Sequence, residues 1–203
     1  MNNSVSEIKE KLLDDLNARM AKECHCALKE TATQAVPGKG SADADILFIG
    51  EAPGKNEDLK GEPFVGAAGK FLETMLGSIG MAREDIYITN VVKYRPPDNR
   101  DPTPEEIEDC AEWLREQIAL IEPKIIVTLG RHALNRFFPD AKISEVHGHA
   151  FRCDLPGIGQ HTFYVLYHPA AALYNGGMRA TLIEDFGRIP KLLEKIKKDP
   201  ELD

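Results

Sequence analysis

The stretch that most constrains the fold of this chain is residues 45–58, DILFIGEAPGKNED, in which an apolar segment stops at an acidic turn. Residues 46–49 are all apolar, so neither face of this segment is suited to water. Such a segment is typical of a strand in a parallel sheet that helices cover on both sides. Gly50 ends the segment and permits a sharp turn. Ligands of open α/β sheets bind beyond the carboxyl ends of the strands, so Glu51 and Glu57 lie where such folds carry out chemistry.

The acidic turn also has plainer explanations. A solvated surface turn would have the same composition, so the turn alone does not establish a site. A phosphate-binding loop is a poor explanation, because the stretch lacks both the GxGxxG pattern and the GK[ST] ending, and its carboxylates would repel phosphate. For the same reason, a small-nucleotide-binding module on a flavodoxin-like sheet is disfavoured.

The length and charge of the chain limit its class. A chain of 203 residues predicts one domain spanning residues 1–203, with a flexible tail at about residues 198–203. No apolar run reaches membrane-spanning length and the N-terminal segment is charged rather than signal-like, so we expect a soluble cytoplasmic protein, or a nuclear one where the cell has a nucleus. The 33 acidic residues outnumber the 25 basic ones, which argues against an indiscriminate polyanion binder but allows a local basic surface.

Strand-like and helix-like segments alternate along the chain. A helix is predicted at residues 4–21 and a loop at residues 22–44, ahead of the strand at 46–49. The remaining strands are predicted at residues 86–89, 124–129 and 163–167, and the remaining helices at 67–79, from Thr103 to about 121, from Gly130 onward and at about 179–197. Residues 140–162 give only a weak indication of short strands. Four strands that alternate with helices predict an α/β fold with a parallel sheet covered on both faces.

Three of the predicted strands end in an unusual polar residue, namely Glu51, Asn90 or His168. Because the carboxyl ends of parallel strands meet at one rim, a carboxylate, an amide and an imidazole would converge there. Each residue has an ordinary alternative, as a solvated acid, a turn cap and a satisfied turn histidine, but the coincidence of all three favours an active site. Phe64 is a further candidate, because it lies in a short apolar segment of a loop bounded by glycines. Its alternative role is to anchor that loop in the apolar core.

Four segments in a fixed order carry a more specific signal. They are residues 50–58 (GEAPGKNED), 61–69 (GEPFVGAAG), 89–93 (TNVVK) and 168–173 (HPAAAL). Together they resemble the motifs of family-four uracil-DNA glycosylases, and the resemblance extends over about residues 26–191. It implies a three-layer α/β/α sandwich with a four-stranded parallel central sheet. It also implies an enzyme of base-excision repair that hydrolyses uracil from DNA and leaves an abasic site.

The resemblance assigns the chemical step to two residues. The N-glycosidic bond breaks with positive charge growing on the sugar and negative charge on the departing uracil. Glu51 would hold the attacking water and stabilise the sugar cation. His168 would hydrogen-bond the uracil O2 as negative charge develops there.

Five other residues would hold the base that is flipped out of the DNA stack. Phe64 would stack on the uracil ring, and the carboxamide of Asn90 would pair with N3–H and O4 and so reject cytosine. The backbone amide of Ala52 matches a further uracil contact. Glu57 would exclude the methyl group of thymine, and Asn99 would hold Glu57.

The four cysteines have two explanations. They are Cys24, Cys26, Cys110 and Cys153. Without a secretory signal a disulfide framework is not expected, which leaves metal ligation or ordinary burial.

This sequence departs from the family at the ligand positions of the iron–sulfur cluster that relatives usually carry. The four ligand positions fall on Glu23, Cys26, Tyr94 and Cys110, and two of these are not cysteine. Cys24 could substitute for the first position, whereas only Cys153 or His25 could replace Tyr94. Since such clusters usually need four thiolates, we expect no [4Fe–4S] cluster and no other metal or cofactor. Tyr94 would fill the space and leave buried thiols.

The expected partner is uracil-containing DNA, single- or double-stranded, bound by a monomer. Ala172 stands where relatives have a large apolar wedge, so Leu173 or Tyr174 would fill the space left by the flipped base. Residues 94–103 lack the basic, histidine-containing insertion of relatives that trap uracil-DNA covalently, so we expect turnover. The alternative is a uracil-DNA binding protein with little turnover.

Contacts to the DNA phosphates are predicted at Lys93, Arg95, Arg100, His147, His149 and Arg179. For each of them, the alternative is an ordinary solvated surface residue.

Overall fold

The structure is a computed structural model that describes residues 2–198, with side chains from residue 4 onward. Apart from Lys198, the tail predicted at residues 198–203 lies outside the described residues. The strands are β1 (Lys39–Gly40), β2 (Ile46–Gly50), β3 (Tyr87–Asn90), β4 (Ile125–Leu129), β5 (Ala150–Leu155) and β6 (Gly159–Leu166). The helices are α1 (Asn2–Glu23), α2 (Lys55–Lys60), α3 (Ala67–Ser78), α4 (Pro104–Ile121), α5 (Arg131–Phe137), α6 (Ile143–Val146), α7 (Pro169–Tyr174), α8 (Gly176–Phe186) and α9 (Ile189–Lys198). No helix among these residues is long and apolar enough to cross a membrane.

The described strands form one mixed sheet in the order β1-β3-β2-β4-β6-β5. Strands β3, β2, β4 and β6 are parallel, and β1 and β5 add to the two edges in antiparallel orientation. The prediction of four strands was therefore wrong, because the sheet has six. The two edge strands carry little sequence signal: β1 has two residues in a loop, and β5 has only intermediate and exposed positions.

The C-terminal helical segment also differs from its prediction. The single helix expected at about residues 179–197 is two helices, α8 and α9, separated near Gly187. The predicted start of α4 is confirmed. Thr103 Oγ1 accepts a hydrogen bond from the Glu106 amide at 3.3 Å, Glu106 Oε2 accepts one from the Thr103 amide at 2.8 Å, and Pro104 opens the helix.

The apolar core lies on both faces of the sheet. All five residues of β2 are buried, and their side chains alternate between the two faces. Leu47 and Ile49 pack in a cluster with residues of α1 and α4, whereas Ile46 and Phe48 pack with residues of α3, α8 and α9. The sheet is thus covered by helices on both sides, as the unbroken apolar run of β2 predicted.

The parallel register fixes the position of the polar strand ends. Gly50 at the end of β2 pairs with Asn90 at the end of β3, and Leu129 of β4 pairs with Leu166 of β6. Glu51 follows β2 directly, and His168 follows β6 after one intervening residue. All three polar residues therefore lie along the same rim.

Candidate active site

A cavity of about 380 Å³ opens at this rim of the sheet. Its lining includes all seven residues that the sequence predicted for catalysis and uracil binding: Glu51, Ala52, Glu57, Phe64, Asn90, Asn99 and His168. They come from loops after β2, β3 and β6 that are far apart in sequence, and the parallel sheet brings them together.

The carboxamide of Asn90 is poised for a ligand. Only 1% of Asn90 is exposed, and its Oδ1 has no hydrogen-bond partner among residues 4–198. A buried acceptor without a partner costs about 1–3 kcal/mol, so such an atom at a cavity indicates that a ligand supplies the donor. Gly50 gives it room, because a Cβ atom at residue 50 would lie 2.4 Å from Asn90 Oδ1 and 2.7 Å from the Phe64 ring.

The ring of Phe64 forms one wall of the cavity. Its centroid lies 5.6 Å from that of the His168 ring, with the planes inclined by 32°. The backbone of Phe64 has a φ of 53°, which is a left-handed conformation that costs a residue other than glycine about 1–2 kcal/mol. Strain of this kind persists only where surrounding contacts hold it, and it is common at ligand sites.

The carboxylate of Glu57 is held by the backbone. Its Oε1 accepts hydrogen bonds from the amides of Val65 at 2.9 Å and Gly66 at 2.8 Å. Asn99, which was predicted to hold Glu57, instead accepts a hydrogen bond from Arg95 Nε at 2.8 Å. The predicted Asn99–Glu57 pair is therefore not what holds Glu57 in this structure, because the loop amides of residues 65 and 66 take that role.

The tautomer of His168 follows from its position at the start of α7. Its Nδ1 accepts a hydrogen bond from the Ala170 amide at 3.1 Å. Burial lowers the pKa of His168 to about 4, and the charge of Glu57 opposes this shift only in part. The imidazole is therefore neutral at pH 7, and because Nδ1 is an acceptor, the proton is on Nε2. A neutral imidazole of this kind can act as a hydrogen-bond donor.

Glu51 belongs to a charged network that the sequence did not predict. His132 Nε2 lies 3.2 Å from Asp101 Oδ2 and 3.8 Å from Glu51 Oε2. Burial raises the pKa of Glu51 to about 7; the Asp101 carboxylate adds to this shift, and the Arg131 guanidinium opposes it. A signal for His132 was present, since it follows the carboxyl end of a predicted strand.

The same network offers the geometry of a cation site but not its charge balance. Ligand atoms of Glu51, Asp101 and His132 all lie within 4.8 Å of one another. Arg131 already donates to these groups, from Nε to His132 Nε2 at 2.9 Å and from a terminal nitrogen to Asp101 Oδ2 at 3.3 Å. The guanidinium of Arg131 supplies the positive charge that a metal ion would bring, so the network does not fit a metal ion well.

The predicted phosphate contact at Lys93 was wrong. Lys93 is completely buried, and its Nζ donates to Thr89 Oγ1 at 2.6 Å, to the Asn90 carbonyl at 2.9 Å and to Gln117 Oε1 at 2.7 Å. These three acceptors match the three protons of an ammonium group, and burial lowers the pKa of Lys93 to about 7. Lys93 therefore supports the end of β3 instead of reaching DNA.

Two of the predicted phosphate contacts already have carboxylate partners. Arg100 lines the cavity but makes a two-pronged contact with Glu106, at 2.8 and 2.5 Å. His147 Nδ1 lies 2.6 Å from Asp185 Oδ2. A phosphate would have to compete with these carboxylates for both side chains.

Other predicted DNA contacts remain at the surface. His149 is exposed, and Arg179 is exposed with its guanidinium 4.5 Å from the centroid of the Phe71 ring. At the end of α7, Ala172 is buried, whereas Leu173 is 37% exposed and Tyr174 is 91% exposed. The apolar surface that α7 offers beside the cavity is thus Leu173 and Tyr174.

Three cysteines form a buried group that does not supply a four-thiolate site. The thiols of Cys24 and Cys26 both hydrogen-bond with that of Cys110, which raises the pKa of Cys110. Tyr94 is buried beside them, and its hydroxyl donates to the Ala21 carbonyl at 3.4 Å. Glu23 pairs with Arg19 on the exposed side of α1.

Neither of the two remaining substitutes completes this group of thiols. His25 is exposed, and Cys153 is on β5, with three strands between it and β3. The group therefore offers three thiols and a phenol, which does not fit the four-cysteine ligation of a [4Fe–4S] cluster.

The fold and the cavity together define an α/β protein with a ligand-sized cavity at the carboxyl rim of a mostly parallel sheet. Residues 37–188 match the sequence profile of the uracil DNA glycosylase superfamily, and the chain belongs to this superfamily. A more specific likeness is to proteins named type-4 uracil-DNA glycosylase, which confirms the resemblance seen in the motifs.

Three such relatives show how much of the chain is shared. The protein from Archaeoglobus fulgidus is 48% identical over 94% of this chain and 96% of its own length. The protein from Saccharolobus solfataricus is 45% identical over 88% of this chain and 86% of its own length. The protein from Thermotoga maritima is 40% identical over 92% of this chain and 97% of its own length.

Proposed function

We propose that this chain is a monofunctional uracil-DNA glycosylase that flips uracil out of DNA and hydrolyses its N-glycosidic bond, leaving an abasic site. The observation that carries the proposal is the buried, unpartnered Oδ1 of Asn90 at a cavity walled by Phe64 and His168. A bound uracil supplies the missing donor with its N3–H. We propose a monomer that acts on single- or double-stranded DNA containing uracil.

Recognition follows from the shape and polarity of the cavity. Uracil presents N3–H beside the O4 acceptor, so Asn90 accepts from the first and donates to the second. Cytosine has an acceptor and an amino group at those positions, which leaves the amide of Asn90 mismatched. Phe64 stacks on the ring, and Glu57, held by two loop amides, occupies the space that the thymine methyl would need. Ala52 and Asn99 also line the cavity.

The chemical step uses the two remaining residues. As the bond breaks, negative charge grows on uracil O2, and Nε2–H of the neutral His168 donates to it. Glu51 lies on the sugar side, where its carboxylate positions water and stabilises the positive charge of the sugar. Both groups are half-buried in the cavity, so a bound base would limit the access of bulk water to them.

The direct test is incubation with an oligonucleotide that contains one uracil, followed by cleavage of abasic sites with alkali. We expect many uracils released per enzyme molecule and no cleavage of a matched oligonucleotide with thymine. One uracil or fewer per enzyme, with tight binding retained, would support the alternative of a uracil-DNA binding protein and contradict the proposal.

We also propose that the enzyme works without an iron–sulfur cluster. Three thiols and Tyr94 replace the four thiolates, so iron and acid-labile sulfide should be well below the level of one cluster in protein purified without oxygen. The measurement is iron and sulfide per chain, with the visible absorption spectrum as a second readout. About four irons per chain in a brown, active protein would contradict this proposal.

The pH dependence of excision should report the charge of Glu51. Since the pKa of Glu51 is raised to about 7 and the anion is the active form, the single-turnover rate should rise with pH, reach half of its maximum near pH 7 and level off about one unit higher. Asp101 raises this pKa, so Asp101→Asn should move the midpoint to lower pH. The Arg131 guanidinium opposes the rise in the pKa of Glu51. The pKa values of His132 and His168 are both lowered from the ordinary histidine value.

A matched control for this shift is Asp98→Asn, because Asp98 is an exposed acid on the same loop. The control should keep the wild-type profile. An Asp101→Asn profile that superimposes on wild type would show that Asp101 does not act on Glu51.

A further inference from the structure

Arg83 joins the loop that carries Phe64 to the strand that carries Asn90. Its Nη1 donates to the Phe64 carbonyl at 2.7 Å and its Nη2 donates to the Pro63 carbonyl at 2.6 Å. Arg83 begins the short helical turn Arg83–Asp85, which leads directly into β3. The two hydrogen bonds therefore tie the backbone at Phe64 to the segment that leads into the strand ending at Asn90.

The backbone around Phe64 needs such a partner. Its left-handed φ of 53° is unfavourable for phenylalanine, so contacts from elsewhere must maintain it. Helix α3 approaches closely, since a Cβ atom at Gly69 would lie only 1.7 Å from the Phe64 oxygen. A carbonyl packed in this way has little access to water and requires a donor from the protein.

The charged groups that hold the backbone on the two sides of Phe64 differ in kind. After Phe64, the amides of Val65 and Gly66 are held by the carboxylate of Glu57. At and before Phe64, the carbonyls are held by the guanidinium of Arg83. Hydrogen bonds with a charged partner are roughly twice as strong as neutral ones, and the planar fork of arginine can serve two carbonyls at once.

We propose that Arg83 is a positioning residue for base recognition, which holds Phe64 in the conformation that presents its ring to uracil. Arg83 does not line the cavity, so it acts through Phe64 and not on the substrate. The inference rests on the proposed function, because it assumes that Phe64 stacks on the flipped base.

The test is a double-mutant cycle with Arg83→Met and Phe64→Ala, measured by single-turnover excision at saturating enzyme and by inhibition with free uracil. Phe64→Ala should slow excision by about 10- to 100-fold, the loss expected for one base–aromatic stack. Arg83→Met should slow it by about tenfold and weaken inhibition by uracil by a similar factor. In the Phe64→Ala background, Arg83→Met should have less than about a twofold effect, because its target is already gone.

Lys39→Met is the matched control, since Lys39 is an exposed cation of the same surface and pairs with Glu62 at 3.5 Å. It should leave excision and uracil inhibition unchanged. Thermal unfolding is measured for every variant. Arg83→Lys, which keeps the charge but not the fork, replaces Arg83→Met if the latter does not fold, and should show a smaller loss that also disappears in the Phe64→Ala background.

The outcomes separate this inference from the proposed function. A wild-type rate for Phe64→Ala would remove the stacking role itself. A large effect of Phe64→Ala combined with no effect of Arg83→Met would overturn only the role of Arg83. Losses that multiply in the double variant would show that Arg83 acts on the fold as a whole and would also overturn it.

Discussion

His168→Ala is expected to slow single-turnover excision of uracil by about 10²–10³-fold, the typical effect of removing one preorganised donor to a developing negative charge. The physical reason lies in the tautomer: Nδ1 accepts from the Ala170 amide, which leaves Nε2–H directed to the substrate. Affinity for uracil-containing DNA should change little, because the donor is most effective when charge develops on O2. The measurement is the single-turnover rate at saturating enzyme beside a binding curve.

Two further variants protect this experiment from a folding artefact. His168 also caps α7, and loss of a cap costs about 0.5–2 kcal/mol of stability. His168→Asn keeps a capping acceptor and should show a similar loss of rate with better stability. His25→Ala, at an exposed histidine, should behave as wild type. A near-normal rate for His168→Ala would show that this residue does not take part in the chemical step. A defect confined to binding would show that it contacts DNA instead.

Asn90→Asp should lower uracil excision by about 10- to 100-fold and relax the discrimination against cytosine. A carboxyl group has no amide donor for O4, and each lost pair of contacts is worth about 1–3 kcal/mol of discrimination. The new oxygen can instead accept from the amino group of cytosine. The readout is the ratio of single-turnover rates on matched oligonucleotides that contain uracil or cytosine.

Asn90→Ala separates the loss of recognition from the change of recognition. It removes both the donor and the acceptor, so uracil excision should fall without any gain on cytosine. Uracil excision by Asn90→Asp at the wild-type rate would mean that Asn90 does not select the base, and the unpartnered Oδ1 would then need another explanation.

The sequence alone was sufficient to predict the rim of polar residues. The apolar run before Glu51, the strand before Asn90 and the strand before His168 are local patterns, and a parallel sheet brings the carboxyl ends of its strands together whatever lies between them. The four motifs indicated the superfamily from the sequence alone, because they are short stretches around those strand ends.

The sequence did not predict how other charged residues are used. Lys93 has the sequence context of a surface lysine beside Asn90, yet Gln117 of α4 and Thr89 of β3 enclose its ammonium group. Asp101 and His132 meet at Glu51 from two separate segments. Burial and pairing of this kind depend on which helices pack against the sheet, which no local pattern encodes.

The edges of the sheet and the support of Phe64 were likewise decided by tertiary structure. Strand β5 exists because it pairs with β6 in a hairpin, not because its own residues alternate strongly. The left-handed backbone of Phe64 is held by Arg83, which is 19 positions further along the chain. The sequence by itself determined which residues line the cavity at the rim of the sheet, because strand ends are local features. Only the packing of distant segments decided which groups set their charge and hold their conformation, because those effects depend on distance and burial in three dimensions.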